Sequence, residues 1–186
     1  MADVIVEAKR RVMKSPIKST EYREPQATTE ELDVTLIELL FFAYRDFTSD
    51  PDAILASYGF GRAHHRVLHF VNHWPGLTVA ELLDVLRITK QSLARVLKQL
   101  IDTGYIVQVQ GPRDRRQREL YVTKKGHELA VELALPQSRR IRSALEEAGI
   151  KDRAEVERFL RAMVNPELRA QLDRSHSSSG TGEGGT

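Results

Sequence analysis

Residues 77–104 read LTVAELLDVLRITKQSLARVLKQLIDTG, and the fold is decided in this stretch. Thr78 followed three residues later by Glu81 is a capping box, so a short helix starts there. Thr89 is a second N-cap, because a hydroxyl ahead of an apolar-periodic run can hold a free backbone N–H. The residues after it repeat Leu93, Val96, Leu97, Leu100 and Ile101 at helical spacing, and Gly104 supplies a left-handed C-terminal cap. Between the two helices there is room only for Arg87 and Ile88. Such helices meet at a steep angle, as in a helix-turn-helix.

Outward from this pair, YIVQV (residues 105–109) and RELYV (residues 118–122) alternate as strands do. QGPRDRRQ (residues 110–117) joins them, so they form an antiparallel hairpin with a long, basic tip. Helix, helix, hairpin in that order is a winged helix-turn-helix. The fold class expected is therefore mainly α with a small β-hairpin.

The flanks read as helices. Residues 29–47 carry Leu32, Leu36, Leu40, Ala43 and Phe47 on one stripe, broadened by Ile37, Phe41 and Tyr44. That face is wider than one small module needs, which points to burial against a second chain. A loop with Asp50, Pro51 and Gly59 follows. GRAHHRVLHFVNHW (residues 61–74) is then a helix with Ala63, Val67, Phe70, Val71 and Trp74 inward, ended by Pro75 and Gly76. Thr123 caps another helix that reaches about Ala148 with a bend near Pro136, and its Gly126 has no explanation in the sequence. Asp152 with Glu155 starts a last helix carrying Val156, Phe159, Leu160 and Met163. Residues 1–28 and the Gly/Ser-rich residues 173–186 read as disordered ends around a domain over residues 29–172.

The formal charge of the 186-residue chain is only +2, but it is segregated. From Arg87 to Arg118 eight basic residues face two acidic ones, so this segment carries +6 and the remainder −4. Residues 29–57 hold seven acidic groups and one arginine. One sign of charge gathered on one segment is what a polyanion selects. With Leu93, Val96, Leu97 and Leu100 inward, the second helix exposes Lys90, Gln91, Ala94, Arg95 and Lys98, with Ser92 in its first turn. Gln91 and Arg95 can pair with base edges in a major groove, while Lys90, Ser92 and Lys98 suit phosphates. At the hairpin tip Arg113, Arg115 and Arg116 are the cations, and Arg116 is the one expected to enter a neighbouring minor groove. Asp114 would hold Arg116 or Arg118 through a charge-assisted hydrogen bond. The alternative is a solvated charged turn, or a winged-helix interaction module whose wing binds an acidic protein partner.

Several classes of function are excluded. There are no cysteines, which removes disulfides, thiolate catalysis, thiol redox sensing and Cys-containing metal sites. No Ser-His-Asp, P-loop or dinucleotide fingerprint is present, so neither an enzyme nor a cofactor is expected. No apolar run approaches a membrane span and no secretory signal is visible, which places the chain in the cytoplasm. His65, His69 and His73 lie four apart on one helix face with His64 adjacent. This row could share a metal ion, but the inward residues fall on the opposite side and no carboxylate stands at a ligand offset, so no metal site is assigned.

From about Leu36 to Leu135 the chain resembles the MarR family of bacterial transcription regulators. The resemblance is carried by PGLTVAELLDVLRITKQSLARVLKQLIDTGYI (residues 75–106) and DRRQRELYVTKKGHEL (residues 114–129). The family's wing signature falls on Asp114, Arg116 and Val122-Thr123, with Val122 in place of the usual Leu. The resemblance implies a homodimer built by terminal helices, here residues 29–57 and 135–172, around winged modules over residues 61–134. It further implies double-stranded DNA with a pseudo-palindromic operator as partner, and repression or dual regulation. Such regulators commonly respond to small aromatic ligands. Phe41, Tyr44, Arg45, His64, Leu68 and Trp74 are the candidate lining here, with ordinary core as the other reading of each apolar member.

Overall fold

The computed structural model describes residues 32–111 and 117–170. The expected arm, the expected tail and the wing-tip residues Arg113, Asp114, Arg115 and Arg116 lie outside the described residues. The elements are α1 (Val34–Ser57), α2 (Arg62–His73), β1 (Leu77–Thr78), α3 (Val79–Leu86), α4 (Lys90–Asp102), β2 (Ile106–Gln110), β3 (Arg118–Val122), α5 (Lys124–Glu147) and α6 (Arg153–Met163). A further helical turn covers residues 166–170, and Arg169 there donates to the Ala162 and Val164 carbonyls that end α6. The chain divides after Leu40 into two units. In the first, the described residues 32–40 expose Leu32, Val34, Leu36, Ile37, Leu39 and Leu40.

The second unit is built on one core. Leu55 near the end of α1, Phe60 in the connection that follows, Val67, Leu68 and Val71 of α2, Leu82 and Leu86 of α3, and Leu93, Val96, Leu97 and Leu100 of α4 all meet there. Tyr105 just ahead of β2, Ile106 and Leu120 from the strands, and Leu129 and Leu133 from α5 complete it. The inward stripe of α2 is thus Val67, Leu68 and Val71, while Ala63, Phe70 and Trp74, read from sequence as inward, are only half-buried.

Two sequence expectations are corrected. The β-structure is a three-stranded antiparallel sheet in the order β1-β3-β2, not a hairpin alone. Leu77 pairs with Leu120 and Thr78 with Glu119, so the residues just ahead of α3 form the third strand. Second, α1 does not end near Phe47 but runs to Ser57 with Pro51 inside it. An interior proline normally costs about 3 kcal/mol, because it withdraws the N–H owed to the carbonyl four residues back. Here that carbonyl belongs to Phe47, and Gln137 Nε2 of α5 donates to it at 3.2 Å. The preceding turn is closed by Thr48 Oγ1, which donates to the Tyr44 and Arg45 carbonyls at 3.0 Å. α5 likewise runs unbroken through Pro136. Among the described residues no helix is long and apolar enough to cross a membrane.

Candidate nucleic-acid interface

The local chemistry read from residues 77–104 is present as expected. Thr78 Oγ1 accepts from the Glu81 N–H, and the Glu81 carboxylate accepts from the Thr78 N–H at 2.8 Å, so α3 starts on a closed capping box. Thr89 Oγ1 accepts from the Ser92 N–H at 3.1 Å. It also donates to Ser92 Oγ at 2.9 Å, which leaves the Ser92 hydroxyl hydrogen free to point outward. At the other end of α4, the Gly104 N–H bonds the Ile101 carbonyl and the Tyr105 N–H bonds the Leu100 carbonyl, with Gly104 at φ +76°. That is the paired bonding of a Schellman cap.

The turn between α3 and α4 is held from outside. Arg87 adopts φ +49°, ψ +47°, the left-handed region that a side chain rarely enters. Its N–H closes on the Leu83 carbonyl, while Arg66 of α2 donates from Nη2 to the Leu86 carbonyl at 2.8 Å. His64 supplies a second tie from α2. Its Nδ1 accepts from the Gly61 N–H at 3.1 Å, so the network puts the proton on Nε2, which donates to Gln99 Oε1 of α4 at 2.9 Å. The same ring stacks on Phe60 with centroids 4.7 Å apart.

Leu93, Val96, Leu97 and Leu100 are buried, so Lys90, Gln91, Ser92, Ala94, Arg95 and Lys98 share the exposed side of α4. Among the described residues neither Lys90 nor Arg95 has an ion-pair partner, whereas Lys98 pairs with Asp102 one turn on. Beside this face, Ala94, Lys98 and Gln108 of β2 line the groove between α4 and the sheet.

The wing is anchored at its base. β2 and β3 pair from Ile106 opposite Val122 to Gln110 opposite Arg118, and the Gly111 N–H then bonds the Gln117 carbonyl at 3.1 Å. Leu120 faces the core, while Val107 and Val109 stand exposed on the opposite face, where Tyr121 donates to Glu119 at 2.8 Å. Thr123 caps α5 by accepting from the Gly126 N–H, and its hydroxyl donates to the Gly104 carbonyl at 2.7 Å. Lys125 donates to the Thr103 carbonyl and lies 4.1 Å from the centroid of the Tyr105 ring. The end of α4, the root of the wing and the start of α5 are therefore tied at one place. Arg66, Gln99 and Lys125 in this frame were not singled out from the sequence. Each acts through a partner distant along the chain.

The six residues considered for a ligand occupy separate settings. Phe41 and Tyr44 are exposed on α1, and Arg45 there pairs with Asp46 at 2.9 Å and lies over Phe42. Leu68 is fully enclosed by the core, and His64 is held by Gly61 and Gln99. Trp74 is half-buried and stacked on Phe70 at 5.2 Å. The rings of His65, His69 and His73 follow one another at 6.5 and 6.2 Å. Among the described residues no group of three or more His, Asp or Glu side chains is arranged to hold a metal ion. Loss of solvation, then the charge of His69, pushes the pKa of His65 below its ordinary value, with Asp52 acting the other way. Loss of solvation, then the charge of His73, does the same to His69.

A capped helix pair packed on a short three-stranded sheet, with a polar and cationic second helix, defines a winged helix-turn-helix protein. Residues 58–117 match the sequence model of the MarR family. The HTH-type transcriptional regulator PetP of Rhodobacter capsulatus is 50% identical over 133 residues, 72% of this chain and 80% of that protein. The chain belongs to the MarR family of transcription regulators. Solved structures share its fold. The MarR protein from Peptoclostridium difficile aligns with a TM-score of 0.61 at 19% identity, over 82% of this chain and 99% of that one. The transcriptional regulator Tm0710 from Thermotoga maritima gives 0.53 at 20% identity, over 77% and 98%.

Proposed function

We propose that this chain is a homodimeric, cytoplasmic reader of a pseudo-palindromic operator that acts as a repressor or dual regulator. The observation that carries the reading is the exposed side of α4. Gln91 and Arg95 stand there for base edges, with Lys90, Ser92 and Lys98 for phosphates, on a helix whose other side is locked into the core. Arg113, Arg115 and Arg116 extend the contact from the wing, with Asp114 orienting them. Dimerisation is supported by apolar side chains left exposed on one chain. These are Leu36, Ile37 and Leu40 at the start of α1, and Phe159, Leu160 and Met163 on α6. Control by a small aromatic ligand follows from family membership, with the exposed rings of Phe41 and Tyr44 as candidate contacts.

A gel-shift titration against the DNA upstream of the chain's own gene, repeated over a salt series, tests the reading. If six to eight phosphates are neutralised per dimer, log K falls against log salt with a slope of roughly −5 to −7. A slope near zero, or retention of an acidic protein in place of DNA, would overturn it.

A further inference from the structure

Three consecutive residues in α1 are tied to two different helices. Pro51 is fully buried and leaves the Phe47 carbonyl to Gln137 of α5. Asp50, before it, pairs with Arg140 of α5 at 3.0 Å. Asp52, after it, pairs with Arg62 of α2 at 2.7 Å. α2 in turn holds the reading head, through Arg66 on the Leu86 carbonyl and His64 on Gln99. A residue pair that only lengthened the life of the helix would need no such divergence. Here Asp50 and Gln137 fix α1 to α5, and Asp52 fixes α1 to the first helix of the winged module.

We propose that Asp50, Asp52 and Gln137 are positioning residues that set the angle of the winged module against α1 and α5, and so the half-site spacing the dimer reads. The inference rests on the dimeric DNA-reading function proposed above. The leverage is sufficient. Half-sites one turn apart are about 34 Å centre to centre, so over a lever of about half that length a rotation of about 5° in each module moves each reading helix about 1.5 Å and changes their separation by about 3 Å. That is close to the rise of one base pair, about 3.4 Å. Asp50, Asp52 and Gln137 bond within α1, α2 and α5 and not to the side chains exposed on α4, so loosening them should broaden spacing without weakening the grip on a single half-site.

The test is a panel of operators whose half-sites are moved closer or apart by one base pair, titrated with the full chain and with Asp52→Asn, Asp50→Asn/Asp52→Asn and Gln137→Leu variants. The wild type should favour one spacing by at least about tenfold, and the variants by less than about threefold, while affinity for a single half-site is unchanged. Exchanging the partners, Asp52→Arg with Arg62→Asp, should restore the preference, which separates loss of the tie from damage to the fold. Variants that keep the wild-type preference, or an exchanged pair as permissive as Asp52→Asn alone, would overturn the inference. Failure of the wild type to bind any of the panel would instead overturn the DNA-reading function beneath it.

Discussion

A Cβ added at Gly126 would stand 2.0 Å from the carbonyl oxygen of Tyr105 and 3.3 Å from the Val122 Cβ. The glycine that weakens the first turn of α5 by propensity is thus the only residue that lets this helix cross the root of the wing so closely. The same Tyr105 carbonyl accepts from the Thr123 N–H at 3.0 Å, so it cannot retreat without breaking the bond that starts α5. Gly126→Ala should destabilise the chain by about 3 kcal/mol, the upper part of the usual range for overpacking. Chemical denaturation checks this, and a stability within 0.5 kcal/mol of wild type (about the noise of a neutral surface change) would show that the contact is loose.

Arg95 and Lys90 should behave differently when removed. Arg95→Ala is expected to weaken operator binding by about 1–3 kcal/mol and to relax preference at one base pair, because the bidentate base contact proposed for it would be lost. Lys90→Ala should weaken all sequences alike and reduce the magnitude of the salt slope by about 1. Arg116→Ala should lose more than about 1 kcal/mol, chiefly on operators with an A·T-rich flank. Binding-site selection with each variant distinguishes these patterns; identical logos and slopes for all three would remove the assigned roles.

Thr89 serves the helix and its surface at once, since its hydroxyl accepts from the Ser92 N–H and donates to Ser92 Oγ. Thr89→Ala should lower stability by about 1 kcal/mol, the usual worth of an N-cap. Thr89→Asn should return most of it. Thermal unfolding of the pair provides the comparison, and equal midpoints for both variants would mean that the cap contributes nothing.

His65, half-buried, and His69, exposed on the same face, both hold their pKa below the ordinary value of 6.5, chiefly through loss of solvation and then through the neighbouring histidine. The unfolded chain then binds protons more readily than the folded one as pH drops through that value. Stability from these groups is present above about pH 6.5 and is lost as pH falls through their folded pKa values. Urea midpoints should be level from about pH 8 to 7 and decline toward pH 5, and His65→Gln/His69→Gln should flatten the decline. An unaltered decline in the double variant would assign it to other groups.

What could be read from sequence was local. The Thr78–Glu81 box, the Thr89 cap and the Gly104 turn each involve residues within a few positions of one another, and all three form. What escaped was set by distant partners. Leu77 and Thr78 are too short a run to announce a strand, and become one only because β3 lies beside them. Pro51 reads as the end of a helix, and does not end it because a donor ninety residues beyond Phe47 bonds that carbonyl. Leu68 was open to a role in ligand contact and is fully buried, because α2 turns Leu68 inward beside Val67 and Val71. The surface of α4 was legible because its burial pattern follows from helical period alone, whereas the frame behind it, Arg66, His64 with Gln99, and Lys125, depends on where other elements pass.

The sheet places β3 between β1 and β2, with Gly111 and Gln117 bonding just beyond the last strand pair. The ties at the base of the wing, Thr123 with Gly104 and Lys125 with Thr103, therefore lie outside the segment between Gly111 and Gln117. On the proposed function, a connecting segment of different length or charge between Gly111 and Gln117 would alter the wing contact and leave the exposed side of α4 as it is. Under that function, minor-groove preference carried by the wing and major-groove preference carried by α4 can change as separate traits.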